Sequence, residues 1–535
     1  MGDVIVREAL EADVEQIRDI FTAVYRGDYP FEAFTDLRWL KRSVFNDDIV
    51  MLVAEDQETG ALLGTASVVF DLGAHSDLLA EFGRLAVSPA ARGRGVGSLL
   101  MQARCDLIGD RLHLGLAQNR CTHPFSQRIS LSHGFAAVGF LPMKYAFQSR
   151  ESVALWARLF GPALSLRRNH PRIVPEAHAL ATLALQGCGL PDDVVVDEEA
   201  SSYPPPATAF LLEELTARGL PALLRIERGR VHNREVFGPV RLHYGYFQLE
   251  ARHATYLVAR DPASHGIAGA IGYLHDEANA SVHVFELIAQ EEGAARALLE
   301  GLLARGRSWG LQYLEIDVSA HAPRMQRTLL ELGFLPAGYV PAMVFHDVER
   351  LDIVKLVRLS PALQLGELQL IPETQRVASV VIRAFTEQQV LPRIEAALGR
   401  IELFAGLSRE QSTRVASLCR IREFEQGRRL FGPSDPASEL LIPLEGRCAV
   451  RIEGQQIGCV GPGESLGELA MLLDEDHRAE VIAEQPLTAA ILGRPELQRL
   501  SRNRPDIAAT LYRNLARGLG RKLRRMDRAI SPDEA

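Results

Sequence analysis

Between Val87 and Leu100 the chain reads VSPAARGRGVGSLL, and Arg92, Gly93, Arg94, Gly95, Val96 and Gly97 separate an apolar strand end from an apolar helix start. Glycines at that spacing let successive backbone N–H groups face one concavity, and the opening helix adds its own unpaired N–H groups and the positive end of its dipole. The chemistry on offer is the binding of an anion. No Gly-Lys-Ser/Thr follows, so the segment is not a Walker loop, and a dinucleotide fingerprint leaves its arginines and the preceding Ser88-Pro89 turn unexplained. Covalent and metal chemistry have less to stand on. There is no evident set of nucleophile, histidine and acid, no metal constellation, and the six cysteines are scattered without a CxxC.

The Arg-x-x-Gly-x-Gly spacing, preceded by Leu85-x-Val87-x-Pro89, resembles the pyrophosphate loop of the GNAT acyltransferase superfamily. The resemblance implies that Leu85, Ala86 and Val87 run beside the pantetheine arm of acetyl-CoA or a related acyl-CoA. It also implies that Arg92, Gly93, Arg94, Gly95, Val96, Gly97 and Ser98 surround the pyrophosphate. Acyl transfer to an amine needs a base for the ammonium proton and an acid for the leaving thiolate. Glu81 stands in register with the general-base glutamate of histone-type members. Many members carry a tyrosine four residues before a closing Gly-Phe; here Gly134-Phe135 closes the helix and that slot is Ser130. A serine hydroxyl is a far poorer proton donor than a phenol of pKa about 10. His123, Tyr145 or water is then left to assist, and Asn119 and His123 lie where strand gives way to helix, at the expected acceptor cleft.

The elements that must hold these residues follow in order over 1–150. Strands are expected at Val4–Val6, Ile49–Glu55, Ala61–Phe70, Leu79–Val87 and Leu112–Ala117, with helices at Ala12–Tyr25, Gly97–Ile108 and Ser126–Ser132. A connecting region over 151–240 reads as helical at Glu151–Phe160 and Val174–Leu185, then acidic and proline-rich from Pro191 to Pro206. The chain then repeats itself. Pro124, Gln127, Arg128, Leu131, Gly134, Phe135, Gly139 and Pro142 return, each 199 residues later, as Pro323, Gln326, Arg327, Leu330, Gly333, Phe334, Gly338 and Pro341. The expected strand and helix order around the second set matches the first, which makes 241–370 a second, degenerate GNAT-like domain. Where the first copy has its glycine loop, the second has Gln290-Glu291-Glu292-Gly293, and carboxylates at a helix start repel an anion. Packing against the first copy and shaping its acceptor cleft is the work left to it.

A helical linker over 371–399 leads into short, glycine-punctuated strands over 400–535, the pattern of a small β-roll. Phe424-x-x-Gly427-x-x-Leu430-Phe431, Gly446, Gly461-x-Gly463 and Leu466-Gly467-Glu468-Leu469-Ala470 resemble a cyclic-nucleotide-binding domain. The resemblance implies that Gly467, Glu468, Leu469 and Ala470 hold the cyclic phosphate and ribose, with a later cation on the phosphate. One alignment makes that cation Arg478, the other puts His477 in the arginine slot. The basic tail carries Leu511, Leu515, Leu519 and Leu523 at helical spacing, a core stripe or a homodimer seam, and no helix-turn-helix follows it.

The chain of 535 residues is 47% hydrophobic and 24% charged with a net charge of -9. That balance does not favour nucleic acid as a partner, no apolar run is long enough to span a membrane, and the start MGDVIVREA has no signal-peptide pattern. The expected molecule is a cytoplasmic α/β (α+β) multidomain protein of two GNAT-like mixed-sheet domains followed by a β-roll with C-terminal helices. Its expected activity is N-acylation of a primary amine, on a protein lysine or a small molecule, from acetyl-CoA, modulated by cyclic AMP or another cyclic nucleotide. The rival is a non-enzymatic sensor or scaffold in which the same domains serve only binding and assembly.

Overall fold

The computed structural model describes residues 4–25, 36–70, 77–207, 209–215, 235–238, 254–397, 399–416, 418–436, 438–473 and 475–530. The boundary expected between 240 and 241 lies outside them. The chain divides into two units, 1–382 and 383–535.

The first unit opens with β1 (Val4–Glu8), α1 (Val14–Tyr25), α2 (Leu37–Val44), β2 (Ile49–Asp56), β3 (Leu62–Val69) and β4 (Leu79–Val87). It continues with α3 (Val96–Ile108), β5 (Leu114–Arg120), α4 (Phe125–Ser132), β6 (Ala136–Ala146) and β7 (Arg150–Leu159). Alternation along β2 lets it serve two faces: Met51 and Val53 pack with Ile17 and Phe21 of α1, while Leu52 and Ala54 pack with Val96 and Leu100 of α3. The connecting region supplies β8 (Arg172–Ile173), α5 (Pro175–Gly187), β9 (Val195–Val196), β10 (Leu211–Glu214) and β11 (Val236–Phe237). The second copy is β12 (Ala254–Arg260), β13 (Ile267–Asp276), β14 (Ser281–Ala289), α6 (Glu292–Ser308), β15 (Tyr313–Ser319), α7 (Pro323–Glu331), β16 (Leu335–His346) and β17 (Glu349–Leu359). The helix α8 (Pro372–Ala397) follows.

All these strands except the β8–β9 pair form one mixed sheet, ordered β1-β2-β3-β4-β5-β7-β6-β16-β17-β15-β14-β13-β12-β10, with β11 on β15. The order reads the same from both ends, so the two copies are related by a pseudo-twofold axis at the β6–β16 seam. There Gly139 pairs with its own repeat equivalent, Gly338. A Cβ on Gly139 would lie 2.9 Å from the Ala337 carbonyl oxygen and 2.9 Å from Gly338 Cα, which is why this repeated position is glycine. The copies also repeat an irregularity: Met143 and Ala342 both take positive φ, 53° and 48°. Arg150 Nε donates to the Met143 carbonyl at 2.7 Å, as Arg350 Nε does to that of Ala342 at 2.7 Å. Gln127 accepts from Ile371 N at 3.2 Å and Gln326 from Val174 N at 3.1 Å, so each copy receives the chain just before a Pro-Glu helix start.

The helix expected at Glu151–Phe160 is instead β7, paired with β5 and β6. Its run Ser152–Ala157 is buried on both faces, so it has no period-two alternation, and pairing on both edges overrides the helix preference of Ala, Leu and Arg. The first copy's sheet therefore runs to Leu159, past the boundary expected at 150.

The second unit holds α9 (Arg409–Ala416), β18 (Cys419–Phe424), β19 (Arg429–Phe431), β20 (Glu439–Glu445), β21 (Cys448–Ile452), β22 (Gln455–Val460), α10 (Glu468–Leu473), β23 (Glu480–Ala483) and β24 (Leu487–Gly493). Helices α11 (Arg494–Asn503) and α12 (Pro505–Ile530) close it. Sheets β18-β24-β20 and β19-β23-β21-β22 share a core through Leu441, Val460, Val481 and Ile491, forming the expected roll. Leu511 and Leu515 of α12 are buried in this unit's own core, whereas Leu523 is exposed. No helix among the described residues is long and apolar enough to cross a membrane.

Candidate functional site

In the first copy β4 and β5 pair in parallel only over Leu79↔Leu114, Ala80↔Gly115 and Glu81↔Leu116. Beyond Glu81 that ladder ends, and β4 bulges: Thr65 faces Ala86 and Ser67 faces Gly83, leaving Arg84, at φ 55°, and Leu85 opposite one residue of β3. Arg104 of α3 props the bulge by donating to the Ser67 and Gly83 carbonyls, each at 3.1 Å. Burial pushes its guanidinium down to about 10. The chain then passes through Pro89–Ala91 into the glycine loop, where Gly93 and Gly95 both take φ 77° and α3 begins at Val96. Arg92, Gly93 and Gly95 are exposed, and Arg94 lies 3.6 Å from the Asp56 carboxylate. A Cβ on Gly97 would lie 2.9 Å from Ile129 Cδ1, so glycine there lets α3 approach α4.

A cavity of about 1040 Å³ joins these parts. It runs from the Arg92–Ser98 loop along Leu85–Val87, past Glu81 and His123, and ends on residues of the second copy. Of the expected acyl-CoA loop, Arg92, Gly93, Gly95, Val96, Gly97 and Ser98 line one space with both candidate catalytic residues, Glu81 and His123, while Arg94 is not part of that lining. Glu81 Oε2 is 3.9 Å from Arg84 Nη1. Burial, outweighing the other influences, holds the His123 ring below its ordinary value, so it is neutral near pH 7, and its buried Nδ1 has no hydrogen-bond partner among the described residues. Tyr145 donates to Gln118 Oε1 at 2.9 Å, and burial, then Glu81 and Glu315, keep the phenol protonated. Ser130 is fully buried and accepts from Asn119 Nδ2 at 2.7 Å, so these two residues satisfy each other.

Sequence reasoning missed the far wall of the cavity. His283 on β14, Tyr313, Glu315 and Asp317 on β15, and Lys355 on β17 line it. The available signal was the alternation Tyr313-x-Glu315-x-Asp317, which puts three polar side chains on one face of an otherwise apolar strand.

The second copy's gap between β14 and β15, the counterpart of that between β4 and β5, is closed. β14 and β15 pair from Ser281↔Tyr313 to Val284↔Ile316, and β11 then takes β15 as its partner through Phe237↔Asp317 and Val236↔Val318. A Cβ on Gly238 would lie 2.2 Å from Phe285 Cα, so the chain lies flush on β14. At the start of α6, Glu292 is held by Arg324 at 2.7 and 2.8 Å, and a Cβ on Gly293 would meet Pro206 Cα at 2.9 Å. Carboxylate and proline thus occupy the place of the first copy's glycine loop.

In the second unit Gly467, at φ 84°, leads into α10. A Cβ there would lie 2.9 Å from the Glu439 carbonyl oxygen and 3.3 Å from His477 Cε1. His477 is buried, stacked on Phe431 with ring centroids 4.1 Å apart, and burial lowers its affinity for a proton despite Asp435 and Asp476. Arg478 stands in solvent and pairs with Glu475 at 2.8 Å. Of the two candidates, His477 is the one beside Gly467. The buried Glu468 carboxylate accepts from Lys522 of α12, which also donates to the Ser465 carbonyl. Leu469 is exposed and Ala470 buried.

The sequence profile of the acetyltransferase (GNAT) family matches residues 14–123, and that of the cyclic nucleotide-binding domain matches residues 421–504. Glutaminase 2 of Bradyrhizobium diazoefficiens is 29% identical over 127 residues, 24% of this chain and 20% of that protein. The chain spans about a fifth or less of the length of the curated relatives it matches. Among solved structures, ribosomal-protein-alanine N-acetyltransferase from Brucella melitensis is 23% identical, covering 29% of this chain and 99% of its own, with a TM-score of 0.27. A cyclic nucleotide-binding domain from Methylobacillus flagellatus is 25% identical, covering 28% of this chain and 84% of its own, with a TM-score of 0.25. With the parted strands and glycine loop at one end of the chain and the Gly467–Ala470 turn at the other, the protein carries a GNAT-family acetyltransferase domain joined to a cyclic nucleotide-binding domain.

Proposed function

We propose that the protein is an N-acetyltransferase that moves an acetyl group from acetyl-CoA to a primary amine. The observation that carries this reading is the single cavity that joins the Arg92–Ser98 loop, the Leu85–Val87 edge and Glu81. The loop N–H groups and Arg92 hold the pyrophosphate, and the stretch of β4 beyond the end of its ladder with β5 holds the pantetheine arm. Glu81, directly or through water, takes one proton from the acceptor ammonium. The neutral amine then attacks the thioester carbonyl; the C–N bond forms, the C–S bond breaks, and the coenzyme thiolate takes the second proton released by nitrogen. Tyr145 lines the same cavity, but burial makes its phenol a weaker acid and its hydroxyl already donates to Gln118 Oε1. It therefore offers the thiolate a hydrogen bond rather than a proton, and a neutral His123 offers a proton acceptor. His123 faces the acceptor.

Cyclic AMP or a related cyclic nucleotide is the proposed effector. Glu468 would take the ribose hydroxyl in exchange for Lys522, and His477 would face the phosphate. The test is release of coenzyme thiol from acetyl-CoA in the presence of a primary amine. Amine-dependent release that Glu81→Gln suppresses supports the reading; acetyl-CoA that binds but is never turned over with any amine returns the protein to the scaffold class.

A further inference from the structure

The second copy has lost its cofactor slot and kept the strand face that would have stood over it. Glu81 faces Leu116 across the β4–β5 ladder, and His283 faces Glu315 across the matching β14–β15 ladder. His283 therefore holds the place in the second copy that Glu81 holds in the first. At the three same-face positions of the next strand the first copy has Leu114, Leu116 and Gln118, and the second, at the repeat offset, has Tyr313, Glu315 and Asp317. His283, Glu315 and Asp317 open into the same cavity as Glu81.

Both carboxylates are ionised. Burial opposes this, but Lys144 at 2.9 Å and Lys355 at 2.5 Å outweigh it for Glu315, and Lys355 at 2.5 Å does so for Asp317. Asp276 also lines this end, where it accepts from Asn279 Nδ2 at 2.7 Å and stands in the field of Arg150, so three carboxylates meet the Lys144 and Lys355 ammoniums and the Arg150 guanidinium. The imidazole sits in a gap: Nδ1 is 3.7 Å from Glu315 Oε1, and Nε2, buried and without a hydrogen-bond partner among the described residues, is 3.6 Å from Asp317 Oδ2. Both spacings exceed a hydrogen bond, leaving capacity for an added donor. A metal ion is the less apt occupant. The ligand atoms lie within 4.8 Å of one another, but Lys355 Nζ already bridges the two carboxylates where a divalent cation would sit.

We infer that this wall is the acceptor subsite and that the acceptor is a small amine bearing a second cationic group, one end reacting beside Glu81 and the other seated on His283, Glu315 and Asp317. The inference rests on the acetyl-transfer reading. Glu81, Tyr145, Glu315 and Asp317 line one cavity, which ties the reacting end to the anchoring end.

The test compares 1,4-diaminobutane with n-butylamine as acceptors for the full-length protein, following coenzyme thiol release from acetyl-CoA. The expected kcat/KM for the diamine exceeds that for the monoamine at least about tenfold. His283→Ala and Asp317→Asn are expected to bring that ratio toward one by raising KM for the diamine, with KM for acetyl-CoA unchanged. Asp317→Asn leaves Lys355 short of a partner and endangers folding, so the partly exposed His283 carries the test if that variant fails. A ratio near one in the wild type, or equal losses on both amines in His283→Ala, overturns the inference. So does transfer to neither amine; if acetyl-CoA still binds by calorimetry, only this inference falls, and if it does not, the acetyl-transfer reading falls with it.

Discussion

A glutamate at position 81 and a serine at position 130 divide the acid–base chemistry unevenly. Glu81 and Ser130 both line the cavity, but Ser130 is buried and its hydroxyl accepts from Asn119, so the proposed base has a carboxylate and the tyrosine slot of the family has no phenol to serve as acid. Glu81→Gln is expected to lower kcat about 10²- to 10⁴-fold with KM for acetyl-CoA unchanged, measured by thiol release. Burial also sets a pH limit on stability. His113, His123 and His321 of the first unit all have folded affinities for the proton below the ordinary imidazole value, each chiefly through burial. Below a pH of about 6.5 the unfolded chain takes up protons that the folded chain resists. Stability is thus full above that pH and lost as pH falls through the folded values; thermal midpoints measured from pH 7.5 to 5 should fall, and His123→Gln should flatten the decline. In the second unit, burial lowers the proton affinity of His477, which holds the proposed phosphate place. His477→Arg should tighten cyclic AMP binding about tenfold or more in a calorimetric titration; unchanged affinity would remove His477 from the phosphate site.

Among elements, the β6–β16 seam makes the two copies one body. Gly139→Ala forces Cβ against the Ala337 carbonyl and Gly338 Cα and is expected to cost about 1–3 kcal/mol, seen as a lower thermal midpoint for the first unit. The seam also shows what a sequence can and cannot display. The Gly139 and Gly338 repeat was readable, because residue identity survives in the chain; their meeting across the axis was not, because one sequence carries no contact information. The glycine loop, β4 and α3 were legible because turn residues and apolar runs act locally. β7 was not, since a strand buried on both faces has no periodicity to separate it from a helix. The closure of the second slot by Val236–Phe237 was hidden for another reason: two residues of strand, far in sequence from Phe285, leave no local signature. Likewise Glu315 and Asp317 read as two charges in a strand until β14 and β17 brought His283 and Lys355 beside them.

In the whole molecule, two copies of one architecture share one cavity, the first lining it with its glycine loop and the second, whose matching strand gap is filled by β11, supplying a wall. The second unit answers separately. Lys522→Ala removes the ion pair that occupies Glu468 and is expected to raise cyclic AMP affinity, while leaving acetyl-CoA affinity without nucleotide unchanged. The central claim is that one intact and one closed copy give one acyl-CoA site per chain. Calorimetric titration of the full-length protein with acetyl-CoA tests it most directly, with Arg92→Ala as the companion, since Arg92 is exposed and its loss does not disturb the core. The account predicts a stoichiometry of one per chain, with affinity lowered about tenfold or more by Arg92→Ala; two sites per chain, no binding, or an affinity indifferent to Arg92 would contradict it.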